Sequence, residues 1–212
     1  MKYKTELVKS VNSYYSEGSY PDNTDNLSSR SMITLAVAYL YGFCSEPERL
    51  IKNTDQLNEI ASPFSLQYLD EAYEKANYHT LIIDEIVHAY TRMIVAGSTT
   101  VWEVLPGTSY GPADFPTRSH THAWSSTPIY FFTRIILGVK LSDNGYGYEY
   151  EVSPIPCNLT YAQGEVVTKM GNIKVEWRIE SNRIYIHYEA PPECAIKVVT
   201  NDWIEKYEMI VE

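Results

Sequence analysis

Near residue 140 the apolar repeat of this chain changes from about 3.6 residues to two, so helices and strands must occupy separate halves. On the helical side, Met32, Leu35, Ala36, Tyr39 and Leu40 follow i, i+3, i+4 spacing and predict a helix over residues 31–41. Ser62-Pro63 has the pattern of an N-cap with proline at the first helical position, and Phe64, Leu66, Leu69, Ala72, Tyr73 and Ala76 mark the helix that follows. A third helix is expected over 80–96, burying Ile82, Ile86, Val87, Tyr90, Met93 and Ile94, with Gly97 as its stop. A fourth runs from Thr127-Pro128 to Gly138, and weaker patterns cover 5–16 and 46–60. That makes about six helices, paired antiparallel through loops.

After Leu141, Ile173, Val175, Trp177 and Ile179 alternate with Lys174, Glu176 and Arg178. A turn at 180–182 leads into Ile184, Ile186 and Tyr188, the pattern of an antiparallel hairpin with one buried face. Further short strands are expected at 151–153, 159–162, 165–168, 195–200 and 206–211. The reading is two domains: residues 1–140 helical, and residues 141–212 a small antiparallel β-sandwich. The boundary falls within 141–148, at the turn Asp143-Asn144-Gly145.

A formal net charge of -10, with no cluster of Lys or Arg, argues against nucleic acid or an anionic membrane as a partner. Neutral polyols are compatible with that balance. The longest apolar stretches, 32–43 and 129–139, fall short of the roughly 20 residues that span a bilayer. Met1-Lys2-Tyr3-Lys4 is basic but no apolar run follows it, so a cytoplasmic chain is expected. Cys44, Cys157 and Cys194 are odd in number and scattered, the pattern of buried apolar groups rather than a disulfide framework.

The chemistry gathers between Gly97 and Trp124. Gly107-Thr108-Ser109-Tyr110-Gly111 has the form of a nucleophile elbow, but Pro106 and Pro112 flank it where a strand and a helix are required, so it reads as loop. His120-x-His122 offers two imidazoles without a third ligand at recognisable spacing, and no metal site is expected. Glu103 stands beside Trp102, an indole that can pack a pyranose face, raise a neighbouring carboxyl's pKa by desolvation, or simply anchor the helical layer. His122 and Trp124 follow on the next loop. One carboxylate does not complete the usual glycosidase pair of acid with base or nucleophile.

These residues resemble a known family. Gly97-Ser98-Thr99-Thr100-Val101-Trp102-Glu103 is similar to the G-A-T-T-x-W-E motif of bacterial α-L-rhamnosidases and related six-hairpin glycosidases. SHTHAWSSTP at 119–128 resembles their S-L-x-H-G-W-S-x-x-P segment. Ser62-Pro63-Phe64 upstream, and Leu137-Gly138-Val139, Glu151-Val152-Ser153-Pro154, 159–164 and 171–177 downstream, follow the family's order. Ser98, His120 and Ala123 depart from it, standing for Ala, Leu and Gly. The resemblance implies part of an (α/α)6 barrel followed by a β-sandwich, and an inverting mechanism. It places Glu103 on the general base, His122 on a sugar contact, and Trp102 and Trp124 on pocket-lining aromatics. The family's general acid lies upstream of the matching segment, and Asp22, Asp25 and Glu71 sit in no matching motif.

The expectation is therefore a C-terminal fragment of a glycoside hydrolase for terminal α-L-rhamnosides or similar sugars. It would hold the base without the acid, be inactive alone, and need no metal or cofactor. The partners implied are a carbohydrate and the missing N-terminal half of the barrel, or a second copy through Met1 to Tyr41. The alternative is a non-catalytic carbohydrate-binding or accessory module.

Overall fold

The computed structural model describes residues 2–16, 19–22, 30–52, 60, 62–108, 117–142 and 147–212. Asp25, the serine of the loop motif, the turn at 143–145 and most of the second half of the expected 46–60 helix lie outside the described residues. The chain divides into two compact units, Met1–Thr127 and Pro128–Glu212.

The first unit contains α1 (Lys2–Asn12), α2 (Met32–Leu40), α3 (Pro63–Lys75) and α4 (His79–Val95), with 3-10 turns at Pro47–Leu50 and Ala123–Ser126. The α2 start is fixed locally. Ser31 is extended and its hydroxyl oxygen accepts from the Thr34 N–H at 3.4 Å, while Asp22 accepts from both the Ser31 and Thr34 hydroxyls at 2.7 Å. At α3, Pro63 takes the first helical position as expected, and Ser62 has cap geometry but makes no side-chain cap bond. The Lys75 ammonium closes the far end of α2 by donating to the Tyr39 and Leu40 carbonyls at 2.8 and 2.9 Å.

Burial on α4 is narrower than the sequence suggests. Ile82, Ile86, Ala89 and Met93 form the buried stripe, whereas Val87 and Ile94, expected in the core, are 57% and 69% exposed. The apolar arc of α4 is wider than the face it packs on α3, and Ala89, not expected in the core, is fully buried. The expected 46–60 helix is described only as the single turn Pro47–Leu50.

α5 (Thr127–Phe131) begins at the division, with all but its first residue in the second unit, and widens into a π turn at Phe132–Ile136. This run was expected to belong to the helical half. It groups with the strands because the Trp177 indole N–H donates to the Ile136 carbonyl at 2.7 Å and Leu137 packs on Gly164. Five α-helices are thus described, followed by two sheets: β1 (Val139–Leu141), β2 (Glu149–Val152) and β6 (Ala195–Val198) in one, and β3 (Tyr161–Thr168), β4 (Gly171–Glu180), β5 (Arg183–Glu189) and β7 (Glu208–Val211) in the other.

The β4–β5 hairpin pairs Trp177 with Ile186 across a Ser181-Asn182 turn whose residues take φ of 49° and 67°. Ile173, Val175, Trp177, Ile184 and Ile186 fill the core from alternate positions. The segments expected as separate strands at 159–162 and 165–168 are one strand, β3, continuous through Gly164 opposite Val175. The sheets are also mixed rather than antiparallel: β2 pairs with β6, and β5 with β7, in parallel. Each of those partners arrives after a long excursion, so no hairpin forces it to reverse.

Gly138 joins the π turn to β1 at φ +73°, and a Cβ there would lie 2.2 Å from the Ser153 carbonyl carbon. Gly138→Ala combines a left-handed backbone with a clash against main chain. A loss of at least about 2 kcal/mol is expected in denaturant unfolding of the β unit. An unchanged midpoint would mean that the close approach is not maintained.

Candidate functional site

Glu103 is positioned by the way α4 ends. Gly97 takes φ +87°, and the Ser98 N–H returns to the Met93 carbonyl at 3.0 Å, a glycine-terminated helix stop. The chain then runs alongside 117–122. The His122 N–H donates to the Val101 carbonyl at 2.9 Å, the Glu103 N–H to the Ser119 carbonyl at 3.0 Å, and the Val104 N–H to the Thr117 hydroxyl at 3.2 Å. The Thr100 hydroxyl bonds the His120 carbonyl, and the Ser119 hydroxyl donates to the Thr121 carbonyl at 2.9 Å. Two motifs distant in sequence therefore form one hydrogen-bonded pair of segments.

The aromatic residues divide into two groups on this scaffold. Trp102 is 4% exposed and lies edge-on to His120 at 5.0 Å. Trp124 is 63% exposed, rests on Phe64 at 4.9 Å, and meets the edge of His122 at 5.2 Å. Glu103 and His122 are half-buried, and His122 Nδ1 is buried without a hydrogen-bond partner among the described residues. Of the residues singled out in sequence, Trp124 offers an open ring face, and Trp102 offers support beneath His120.

α3, which packs against the 3-10 turn Ala123–Ser126, carries a group that the sequence reading passed over. Asp70, on the buried face of α3 with Leu66, Leu69 and Tyr73, is 1% exposed, and its Oδ1 has no partner among the described residues. Its position on that apolar stripe was the available signal. Burial, with Glu85 and Glu71 nearby, pushes the Asp70 carboxyl well above the ordinary carboxylate range. Tyr73 is pushed up to about 12 by burial and by Glu85 and Asp70. Tyr90 is pushed up to about 12 by burial, with a Thr127 hydrogen bond opposing and Asp70 adding to the rise.

A carboxyl that keeps its proton more firmly when folded stabilises the fold fully below the unfolded value near 3.8, and that contribution is lost as pH rises through the folded value. Asp70→Asn removes the titration. Relative to the parent chain, its denaturant midpoint is therefore expected to improve as pH rises from about 4 to about 8. A difference independent of pH would show that the carboxyl ionises freely.

Among the described residues no group of three or more His, Cys, Asp or Glu could hold a metal ion, and no helix is long and apolar enough to cross a membrane. All three cysteines are buried, and none forms a disulfide. Among the described residues, open clefts are lined by other residues than Glu103. One of about 420 Å³ is bounded by Glu165, Lys174, His187 and Glu189, and one of about 240 Å³ by Tyr15, Cys44 and Arg49.

This chain has an order of helices followed by two sheets that recurs in solved rhamnosidases. More particularly, it is similar to the C-terminal portion of bacterial α-L-rhamnosidases. Residues 138–211 match the model of the bacterial alpha-L-rhamnosidase C-terminal domain. An alpha-L-rhamnosidase of Formosa agariphila is 24% identical over 144 residues, covering 66% of this chain and 15% of the relative. The GH78 family rhamnosidase of Bacillus sp. GL1 superposes with a TM-score of 0.81 at 32% identity, covering 97% of this chain and 23% of that one. The alpha-L-rhamnosidase of Dictyoglumus thermophilum shares the fold, with a TM-score of 0.66 at 18% identity over 93% of this chain and 23% of its own. The chain thus spans less than a quarter of the length of each of these relatives.

Proposed function

We propose that this chain is the C-terminal portion of an inverting glycoside hydrolase acting on terminal α-L-rhamnosides or similar sugars, with Glu103 as the general base. The observation that carries the reading is the pairing of segments 100–104 and 117–122, which holds the carboxylate-bearing and imidazole-bearing motifs together by main-chain hydrogen bonds. In this reading α1–α4 are part of an (α/α)6 barrel and the two sheets form a β-sandwich. His122 and the exposed Trp124 face the sugar, and Trp102 holds their loop from beneath. The acid partner, about 6.5–9.5 Å across a bound water in an inverting site, comes from elsewhere in the protein. Exposed apolar residues on α1 (Tyr3, Leu7) and α4 (Val87, Ile94, Val95) mark where the rest of such a barrel, or a second copy through residues 1–41, would pack.

The 212-residue chain alone is expected to release no aglycone from an aryl α-L-rhamnoside. It is expected to bind L-rhamnose weakly in calorimetric titration, with Trp124→Ala reducing affinity about tenfold, or about 1.4 kcal/mol. Turnover that disappears on Glu103→Gln would sink the claim that the acid lies elsewhere. The exposure of Trp124 also favours a second reading, a non-catalytic carbohydrate-binding module. That reading predicts the same affinity, but no catalysis when the remainder of a barrel is supplied.

A further inference from the structure

Glu103 is carried on a short stretch with anchors on both sides. Trp102 and Val104 flank it and are 4% and 5% exposed, while Glu103 itself is half-buried. Downstream, the Thr108 hydroxyl donates to the Leu105 carbonyl at 2.8 Å. The Arg92 guanidinium, from α4, donates to the Pro106 carbonyl through Nε at 3.1 Å and Nη2 at 2.6 Å. Those contacts fix residues 105–106. The main chain of Glu103 and Val104 is held instead from the facing segment, where one buried side chain makes two of the bonds.

That side chain is Thr117, which is fully buried. Its Oγ1 accepts from the Val104 N–H at 3.2 Å and donates to the Ser119 carbonyl at 3.1 Å. The same Ser119 carbonyl accepts from the Glu103 N–H at 3.0 Å. One hydroxyl therefore bonds both the amide that follows Glu103 and the acceptor of Glu103's own amide. A hydroxyl out of reach of water is costly unless paired, and this one uses its donor and an acceptor site. Valine has nearly the same shape without the hydroxyl. In its place the buried Val104 N–H would lose its acceptor, and the Ser119 carbonyl would lose one of two donors. Serine can keep both bonds and lacks only a methyl group.

We propose that Thr117 is a positioning residue for Glu103: its hydroxyl fixes the main chain on both sides of that residue and so sets where the carboxylate stands. The functional meaning rests on the reading of Glu103 as the base, but the hold on the main chain is tested without sugar. Amide hydrogen exchange of the full chain is followed by NMR for the parent, Thr117→Val and Thr117→Ser. The Glu103 and Val104 amides are expected to be protected in the parent. In Thr117→Val they should exchange at least about tenfold faster, while Ile86 and Ala89 in α4 keep the parent rates. Thr117→Ser is expected to return them to within about threefold of the parent. The second readout is kinetic, in the Bacillus sp. GL1 rhamnosidase with its matching segment replaced by this chain. There Thr117→Val is expected to lower kcat on an aryl α-L-rhamnoside about tenfold, with KM changed less than about twofold. It should add nothing further when Glu103 is already glutamine, because the two changes act through one carboxylate.

Unprotected Glu103 and Val104 amides in the parent would overturn the proposal whether or not Thr117→Val folds. So would a Thr117→Val chain in which the α4 amides speed up equally, or a Thr117→Ser chain that behaves like Thr117→Val. An equal fall in kcat with glutamate or glutamine at residue 103 would also overturn it, since Thr117 would then act on the fold and not on the carboxylate. If Glu103→Gln leaves kcat unchanged, the base assignment fails and the hold of Thr117 on the main chain stands.

Discussion

Glu103→Gln is expected to lower turnover of an aryl α-L-rhamnoside by about 10²–10⁴-fold, the usual contribution of a positioned general base. The host for this experiment is the Bacillus sp. GL1 rhamnosidase with its matching segment replaced by this chain, since 97% of the chain superposes on it. Glutamine preserves the size of the side chain and its acceptor oxygen but cannot take a proton from water. The loss should therefore fall on kcat, with KM changed only severalfold, because a group that acts on the attacking water matters most in the transition state. Unchanged circular dichroism would separate this from misfolding. A fall in kcat of less than about tenfold would remove Glu103 from the base position.

Trp177→Ala carries the largest expected loss of stability. The side chain is fully buried at the centre of the β unit, and its indole N–H donates to the Ile136 carbonyl at 2.7 Å. Truncation leaves a cavity and strands a buried carbonyl. Large aromatic truncations of this kind cost about 3–5 kcal/mol, and an unmade buried hydrogen bond adds about 1–3 kcal/mol. Trp177→Phe keeps most of the apolar volume and should cost less than half as much. Urea midpoints of the two variants separate the packing and hydrogen-bond contributions. Equal losses would mean that the hydrogen bond dominates and the ring packs poorly.

The parts of this fold that could be read in the sequence are those fixed by near neighbours. α2 (Met32–Leu40) falls within the expected 31–41, α4 stops just before Gly97, and the β4–β5 hairpin turns at Ser181-Asn182. What escaped depends on distant partners. The parallel pairings of β2 with β6 and β5 with β7 leave no local pattern, because alternation gives a strand's faces and not its neighbour. Val87 and Ile94 have the spacing of core residues, yet burial is decided by how much of α4 another element covers.

The site shows the same division. The two motifs signalled an aromatic and acidic loop cluster, but the sequence could not distinguish a buried indole at Trp102 from an open one at Trp124. Asp70 adjoins the half-buried Glu71 and reads as an ordinary polar residue of a helix. Its register with Leu66, Leu69 and Tyr73 turns it inward. The helix that carries it, α3, packs against the turn Ala123–Ser126.

The proposal that Glu103 is the base that activates water predicts the stereochemistry of the first product. Proton NMR during hydrolysis of an aryl α-L-rhamnoside by the grafted enzyme reads it directly, before mutarotation mixes the anomers. Attack by water on the face opposite the leaving group predicts β-L-rhamnose as the first sugar to appear, and only when Glu103 is intact. First appearance of α-L-rhamnose would instead indicate a covalent intermediate with retention, and would contradict the assignment of Glu103 as a general base.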